Sequence, residues 1–239
     1  MAWFFSKNVT GQHHIITGED AHHISRVLRM KLGEGITICD ENQVCHECTI
    51  ESISPDAVTV TVTSNAPCLH EPNIHLTLYQ ALPKGEKMEM VIQKAVELGA
   101  AEIVPVLSAR CVSRPDEKSM KKKLERWNKI AKAAAMQSRR GFIPTVAPLL
   151  SFKDAAKLAG SDAVICYELG GISMKKALEG KGKSISLFIG SEGGFEQSEV
   201  DAVIENGGAA VGLGRRILRA ETAPLAAISV IMYLTGNLG

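Results

Sequence analysis

The segment LGRRILRAETAPLAA, residues 213–227, concentrates side chains that could stabilise charge or move a proton. Its first ten positions hold three arginines, one glutamate and one threonine, and an almost wholly apolar stretch follows. Arginine can stabilise an anion that develops on a substrate. Glu221 can orient an arginine or accept a proton, and it can equally favour the N-terminus of the next helix by about 0.3–1 kcal/mol. Both interpretations of Glu221 stay open, and we assign no general base.

Two glycine-rich segments lie near this region, GSEGGF at 190–195 and GLGRR at 212–216. Gly190, Gly193 and Gly194 have no side chain, so a flat ligand can lie against their backbone. A tight turn between a strand and a helix explains the same glycines equally simply. The glycines therefore indicate a pocket or a turn, and their types alone do not choose between the two.

Common nucleotide motifs do not fit these loops. The GKS at 182–184 lacks the glycine that a P-loop needs at position 177, which is alanine. Gly212 and Gly214 begin a dinucleotide pattern, but Ile217 stands where the last glycine belongs, and the loop lies near the end of the chain. A P-loop is excluded, and a Rossmann dinucleotide site is a poor fit.

The elements that must position these loops alternate between strand and helix after residue 73. A parallel sheet with helices on both faces follows from such alternation, and ligands of such sheets bind beyond the carboxyl ends of the strands. Thr222 is expected to cap the last helix, which we expect to be buried, and Pro224 to lie in its first turn. The predicted strands are 74–82, 101–108, 163–168, 185–190 and 209–214, and the predicted helices are 86–98, 119–138, 173–179, 197–206 and 222–235.

The first third of the chain has a different pattern. Residues 35–63 alternate like short antiparallel strands of a small barrel or sheet. A helix is predicted before them, with Asp20 as its cap and Ile24, Val27 and Leu28 as its apolar stripe. His22, Arg26 and Arg29 then share the opposite face, which either faces solvent or meets phosphates. With residues 66–73 as a linker, the predicted domains are 1–70 and 74–239.

The charge is unevenly distributed although the net charge is only +1. Residues 114–140 hold ten Lys or Arg against three Asp or Glu, so this stretch is +7 and the remainder is −6. Such segregation favours a polyanionic partner. A solvated lysine-rich helix face explains this stretch about as well.

The six cysteines lack the density of a disulfide framework, which favours reduced thiols in a cytoplasmic protein. Cys45 and Cys48 form a C-x-x-C, but positions three apart in a strand point to opposite faces, so we expect no metal. No stretch reaches the roughly 20 apolar residues that span a bilayer, so we expect neither export nor a membrane partner.

Four segments together carry a family resemblance: ALPKGEKMEMVIQKAVELGAAEIVPVLSARC, ERWNKIAKAAAMQS, FIGSEGGFEQSEVD and LGRRILRAETAPLAA. They resemble the RsmE family of the SPOUT superfamily, small-subunit 16S ribosomal RNA methyltransferases acting at N3 of a uridine. The resemblance extends from residue 3 to the C-terminus. It implies a PUA-like N-terminal β-barrel, an α/β C-terminal domain with a trefoil knot, S-adenosylmethionine as cofactor, and a homodimer.

The resemblance also implies roles for particular residues. The family normally has proline at the positions of Ser191 and Arg215, and because proline fixes φ, both replacements are expected to loosen the loops of the cofactor pocket. The cofactor-binding residues that it implies include the three glycines already described. The full set is Tyr167, Glu168, Gly190, Glu192, Gly193, Gly194, Leu213, Gly214, Ile217 and Leu218.

Uridine N3 lies on the Watson–Crick edge and carries a proton, so the base must be unpaired and the proton must leave. Arg216 and Arg219 are the candidates to stabilise the anion that develops on the uracil, and Glu221 completes the catalytic set. The predicted RNA contacts are Arg26 and Arg29 on the small domain and Lys84, Gln137, Arg139 and Arg140 on the large one. Transfer to a ribose 2′-oxygen and RNA binding without catalysis are the alternatives.

Overall fold

The computed structural model describes residues 1–54 and 56–239, which divide into two compact units. The N-terminal unit comprises Met1–Glu71 together with Ala135–Ile143, and the C-terminal unit comprises Pro72–Ala134 and Pro144–Gly239. The first boundary falls inside the predicted linker. The inclusion of 135–143 in the N-terminal unit was not predicted, because it depends on contacts between residues far apart in sequence.

The N-terminal unit is built on a five-stranded sheet with the order β1-β3-β4-β5-β2. The antiparallel strands predicted within 35–63 are present as β3, β4 and β5, whereas the two edge strands were not predicted. Ser6 Oγ and His14 Nε2, on opposite edges, are 3.1 Å apart, so the sheet is curled. The strands are β1 (Ala2–Ser6), β2 (His13–Thr17), β3 (Gly35–Asp40), β4 (Val44–Ile53) and β5 (Ala57–Pro67).

The predicted helix of this unit is shorter than expected. It consists of α1 (Gly18–His22), which continues into a π-helical turn at His23–Val27. Asp20 lies within α1 and does not cap it, since the N-cap position is Thr17. Ile24 is buried as predicted, but Val27, the last residue of the π-helical turn, and Leu28 are exposed. Arg29 lies beyond the helix with a φ of 54°, so the predicted shared face of His22, Arg26 and Arg29 is wrong.

The C-terminal unit is a parallel sheet with the order β12-β10-β11-β6-β7-β8, and β9 also pairs with β7. Each of the five predicted strands and five predicted helices corresponds to an observed element, while β8, β9 and α4 were missed. The strands are β6 (His75–Ala81), β7 (Glu102–Leu107), β8 (Thr145–Val146), β9 (Leu150–Ser151), β10 (Ala163–Cys166), β11 (Ser184–Ile189) and β12 (Ala209–Val211). The helices are α2 (Lys87–Glu97), α3 (Glu117–Gln137), α4 (Phe152–Ala159), α5 (Met174–Leu178), α6 (Gln197–Glu205) and α7 (Thr222–Leu234).

The core of this sheet combines branched aliphatic residues of the strands with an aromatic cluster. The rings of Tyr79 and Phe188, on neighbouring strands, stack with centroids 4.5 Å apart. Phe152 of α4 packs against Phe188 at 5.7 Å and against Phe195 at 5.4 Å. Phe195 follows the glycine-rich segment, so this cluster anchors that segment to the core.

Helix α7 is buried along one side only. Ala227, Ile228 and Ile231 are inaccessible, whereas Val230 and Tyr233 are exposed. The helix is apolar as predicted, but the expected burial holds for one side only. Glu221, and not Thr222, occupies the N-cap position, and its side chain makes no capping bond. Pro224 lies in the first turn as predicted.

Among the described residues, no helix combines the length and the apolar character needed to cross a membrane.

A buried ion pair fixes the segment 135–143 within the N-terminal unit. Arg140 Nε donates to Glu71 Oε1 at 2.8 Å, and Arg140 Nη2 donates to Oε2 at 2.7 Å. Only 3% of Arg140 is exposed. Glu71 also accepts from the Gly141 backbone N–H at 2.6 Å, and Trp3 Nε1 donates to the Arg140 carbonyl at 3.1 Å. The bidentate geometry compensates the two buried charges.

Replacement of Glu71 by glutamine is expected to destabilise the protein by about 3–5 kcal/mol, because it leaves a buried guanidinium without its counter-charge. Urea unfolding followed by circular dichroism measures this effect. Arg139→Asn is the matched control, since it removes an exposed neighbouring arginine and asparagine tolerates the positive φ there. Equal stability of Glu71→Gln and the control would contradict the assigned role of the pair.

Candidate active site

Three neighbouring parallel strands end at one cavity of about 560 Å³. Strand β10 lies between β12 and β11, with Cys166 paired to Val211 and Ile165 paired to Phe188. Because the three strands are parallel and in register, the loops that follow them meet at the same edge. All ten residues predicted to bind the cofactor line this cavity: Tyr167, Glu168, Gly190, Glu192, Gly193, Gly194, Leu213, Gly214, Ile217 and Leu218.

The glycines of the β11 loop are explained first by the close packing of that loop. The Gly194 N–H donates to the Ser191 carbonyl at 3.0 Å, and Gly194 has a φ of 68°. A Cβ on Gly194 would lie 2.4 Å from Glu168 Oε1, and a Cβ on Gly193 would lie 2.9 Å from Arg110 Cβ. The tight-turn interpretation therefore accounts for these glycines, and the turn they form is one wall of the cavity.

Lys87 connects two acidic residues at the mouth of the cavity. Its Nζ lies 2.8 Å from Glu192 Oε1 and 3.2 Å from Glu221 Oε2. These two carboxylates raise the pKa of Lys87. Burial opposes ionisation of Glu192, but the bonds from Lys87 and from the Lys84 N–H hold its pKa below the ordinary value. A hydrogen bond from the backbone N–H of Glu221 to its own carboxylate lowers the pKa of this side chain, although burial opposes the shift. Lys87 lowers the pKa further.

This geometry bears directly on the role of Glu221. An ionised carboxylate that is paired with Lys87 is a weak proton acceptor, because its pKa lies below the ordinary value of 4.5. Glu221 does not line the cavity, whereas Lys87 does. The arrangement favours an orienting role for Glu221 over proton abstraction. Lys87 was not singled out in the sequence, since its partners come from segments more than 100 residues away.

A second cation ties two walls of the site together. Arg110 Nη1 donates to the Gly193 carbonyl at 3.1 Å and lies 3.9 Å from Glu168 Oε1. Its β-carbon also packs against Gly193. Arg110 therefore links the loops after β10 and β11. The sequence held no signal for it beyond its place just after the predicted strand 101–108.

The cavity also has polar atoms that lack partners. Ser191 is 7% exposed and lines the cavity, yet its Oγ makes no hydrogen bond with the described residues. Gln80, beneath the same loop, donates to the Gly190 carbonyl at 3.3 Å, while its Oε1 is unpaired. A buried hydroxyl without a partner is costly, so Ser191 Oγ is available to bond to a polar group that enters the cavity.

The predicted anion-stabilising residues reach the cavity from its exposed side. Arg216 and Arg219 both line it and are exposed, as is Arg215. Arg219 adds to the lowered pKa of Glu221. Within the part of the chain that the structure describes, no ion pair engages the side chains of Arg215 or Arg216. Three positive charges therefore remain available at the mouth of the cavity. The other lining residues that the sequence did not single out are Cys166, Ile189, Ala220 and Ala223.

The predicted RNA-binding residues fall into two groups. Arg26, Arg29, Gln137 and Arg139 are exposed, and all four belong to the N-terminal unit. Gln137, Arg139 and Arg140, which the sequence assigns to the large domain, pack with the N-terminal unit. Lys84 is exposed in the C-terminal unit, and its backbone N–H donates to Glu192.

Arg140 does not fit the predicted RNA contact. It is buried and paired with Glu71, so its guanidinium cannot reach a phosphate without breaking that pair. Two adjacent arginines looked equivalent in the sequence, and only long-range packing distinguishes them.

Comparison with known proteins places the chain among RNA-modifying enzymes. The family model described as RNA methyltransferase domain matches residues 70–232, and the one described as RNA methyltransferase PUA domain matches residues 16–63. The chain is 42% identical over 229 residues to a ribosomal RNA small subunit methyltransferase E of Bacillus subtilis (strain 168), with 92% of this chain and 90% of that protein covered. The chain belongs to the ribosomal RNA small subunit methyltransferase E family. Its predicted assignment as an RNA methyltransferase of α/β class with a PUA-like domain is confirmed.

Solved structures agree with this family. A ribosomal RNA small subunit methyltransferase E from Neisseria gonorrhoeae bound to S-adenosyl methionine has a TM-score of 0.89 at 31% identity, covering 98% of both chains. A putative methyltransferase from Legionella pneumophila, in complex with the bound cofactor SAM, has a TM-score of 0.87 at 30% identity, covering 97% of this chain and 96% of that one.

Proposed function

We propose that this enzyme transfers a methyl group from S-adenosylmethionine to N3 of a uridine in 16S ribosomal RNA of the small ribosomal subunit. The observation that carries the proposal is the single cavity at the ends of β10, β11 and β12, which gathers every residue expected to bind the cofactor. Its arginine-rich mouth is the second part of the argument. The family of the chain supports the reaction class.

The cavity fits this cofactor in size and in chemistry. Its volume of about 560 Å³ lies within the roughly 300–1,000 Å³ of small-molecule sites. Leu213, Ile217 and Leu218 supply apolar contacts, and Ser191 Oγ supplies an unpaired hydroxyl. The sulfonium methyl of the bound cofactor is electrophilic without a metal. The cavity residues therefore have to hold and orient, and no Lewis acid is required of them.

The chain's own contribution to the reaction is electrostatic. Arg216 and Arg219 stabilise the negative charge that develops on the uracil as its N3 proton passes to solvent water. Glu221, held by its ion pair with Lys87, places a negative charge near Arg219. Because the target edge is used in base pairing, the uridine must be unpaired when it reaches these arginines.

Calorimetric titration with S-adenosylmethionine and single-turnover methylation separate cofactor binding from catalysis. Arg219→Ala is expected to keep the native affinity for S-adenosylmethionine but to slow methyl transfer by about 10²–10³-fold, as for loss of one oxyanion donor.

Ser191→Ala is expected to weaken binding of S-adenosylmethionine by about tenfold, because one hydrogen bond is lost. It should not lower the stability of the free protein, since an unpaired buried hydroxyl is removed.

Three results would contradict these assignments. Loss of cofactor affinity in Arg219→Ala would make this residue part of the cofactor site. Absence of binding to the native protein would favour RNA binding without catalysis. A product methylated on a ribose 2′-oxygen would replace the proposed chemistry by the alternative reaction.

The RNA is proposed to contact exposed residues of both units, with Arg26, Arg29, Gln137 and Arg139 on one and Lys84 on the other. The basic face of α3 adds to the attraction, since Lys118, Lys121 and Lys122 are exposed there. Long-range attraction of this kind steers a polyanion towards the site.

The salt dependence of RNA binding tests these contacts. Each arginine that binds a phosphate should, when removed, reduce the slope of log K against log salt by roughly 0.7 for single-stranded RNA. We expect this change for Arg26→Ala and for Arg139→Asn, measured by fluorescence anisotropy. Lys7→Ala, another exposed cation of the N-terminal unit, is the control and should keep the native slope. An unchanged slope for Arg26→Ala would remove this residue from the RNA surface.

A homodimer in the cytoplasm, where ribosomal subunits are made, completes the proposal. The exposed apolar side of α7 supports the dimer, because Val230, Tyr233 and Leu234 are apolar residues without cover within the chain. We expect the native protein to sediment as a dimer at micromolar concentration and Tyr233→Asp to sediment as a monomer. Leu158→Asp, an equally exposed apolar position on α4, should remain dimeric. A native protein that sediments only as a monomer would contradict the dimer.

A further inference from the structure

Three cysteines of the N-terminal unit meet at one point and a histidine adjoins one of them, although the four residues are spread over 32 positions of sequence. The Sγ atoms of Cys39, Cys45 and Cys68 all lie within 4.8 Å of one another. Cys39 Sγ and Cys45 Sγ are 4.0 Å apart, and Cys68 Sγ lies 3.6 Å from His70 Nδ1. We propose that these four side chains form a Cys₃His site for a thiophilic divalent metal such as zinc.

The separations match tetrahedral coordination. With Zn–S bonds of about 2.3 Å and Zn–N bonds of about 2.0–2.1 Å, ligand sulfurs lie about 3.8 Å apart and a sulfur and a nitrogen about 3.6 Å apart. The Cys39–Cys45 and Cys68–His70 distances are already close to these values. The remaining sulfur–sulfur separations are at most 4.8 Å and have to close by up to about 1 Å, and the His70 ring has to move towards Cys39 and Cys45 to complete the site.

Backbone pairing holds the four ligands in place. Cys39 and Cys45 are directly opposite each other on the antiparallel strands β3 and β4. The Cys68 N–H donates to the Gln43 carbonyl in the turn between those strands, at 2.7 Å. The His70 ring packs edge-on against Trp3 with centroids 5.6 Å apart. The site therefore has two ligands on a rigid hairpin and two on the segment that follows β5.

The surroundings suit a structural metal. Trp3 and Phe5 pack around the sulfurs, while His70 is exposed and leaves an entry route. The Cys39 thiol lies 3.1 Å from the Gly141 carbonyl, so metal binding must release that proton.

The C-x-x-C pair that is visible in the sequence is not the site. Cys48 points to the opposite face of β4 and packs with Ile36, Ile50 and Val60 in a separate core cluster. The expectation of no metal considered Cys45 and Cys48 alone. The actual partners of Cys45 come from the facing strand and from the segment after β5, which no spacing rule connects.

Titration of the reduced full-length protein with Co²⁺ tests the proposal. One equivalent should produce the sulfur-to-cobalt charge-transfer and tetrahedral d–d absorption bands, and Zn²⁺ should displace it. Cys68→Ser should weaken metal binding by at least about tenfold. Loss of a residue that only supports a metal ligand already weakens binding by about 10–100-fold, and Cys68 is itself a proposed ligand. His70→Ala should retain the charge-transfer band and shift the d–d bands. Both changed residues are only partly covered, so these variants should fold.

Cys48→Ala is the matched control and should bind metal like the native protein. Thermal unfolding provides a second measurement, because Zn²⁺ should raise the Tm of the native protein and of Cys48→Ala but not that of Cys68→Ser. Absence of thiolate bands in the native protein, or equal affinity of Cys68→Ser, would overturn the site. A Cys39–Cys45 disulfide that persists under reducing conditions, detected by the loss of two hydrogen masses, would overturn it as well.

Discussion

The parallel register of β12, β10 and β11 is the constraint on which the proposed active site depends. The last residues of β10 and β12, Cys166 and Val211, are paired with each other, and β11 ends one residue after the partner of Ile165. The three loops that follow must therefore emerge side by side. Their order in the sheet differs from their order in the chain. Residues 166–168, 190–194 and 213–220 therefore share one cavity although up to 54 positions separate them. No single loop could supply the apolar walls, the glycine turn and the arginines together.

Ion pairs then connect the side chains that the strand register brings together. Lys87, at the start of α2, neutralises part of the charge of Glu192 and Glu221, which come from two different loops. The ion-paired carboxylates stay ionised, and the exposed arginines of the last loop keep their charge directed at the cavity mouth. The cavity is thus lined both by ion-paired acidic residues and by three exposed arginines, which attract an anionic substrate.

Much of this arrangement could be predicted from the sequence, because the elements of the C-terminal unit are long and strongly periodic. The alternation of strand and helix predicts a parallel sheet, and a parallel sheet predicts that the glycine loops share one edge. The family resemblance supplied the particular positions that line the cavity. Lys87, Arg110 and the unpaired Ser191 hydroxyl escaped prediction, since their roles are defined by partners far away in the chain.

The N-terminal unit shows the limit of such reasoning more clearly. Arg139 and Arg140 are adjacent and chemically identical, yet one is exposed and the other lies buried against Glu71. Cys45 and Cys48 lie in different clusters, as their spacing in a strand predicts, but the spacing did not reveal the partners of Cys45. The deciding contacts join Arg140 to Glu71, 69 positions away, and Cys45 to Cys39 and Cys68, 6 and 23 positions away. The local pattern determines which face of its helix or strand a residue points to. Only tertiary pairing determines whether a counter-charge or a second thiol lies next to that residue.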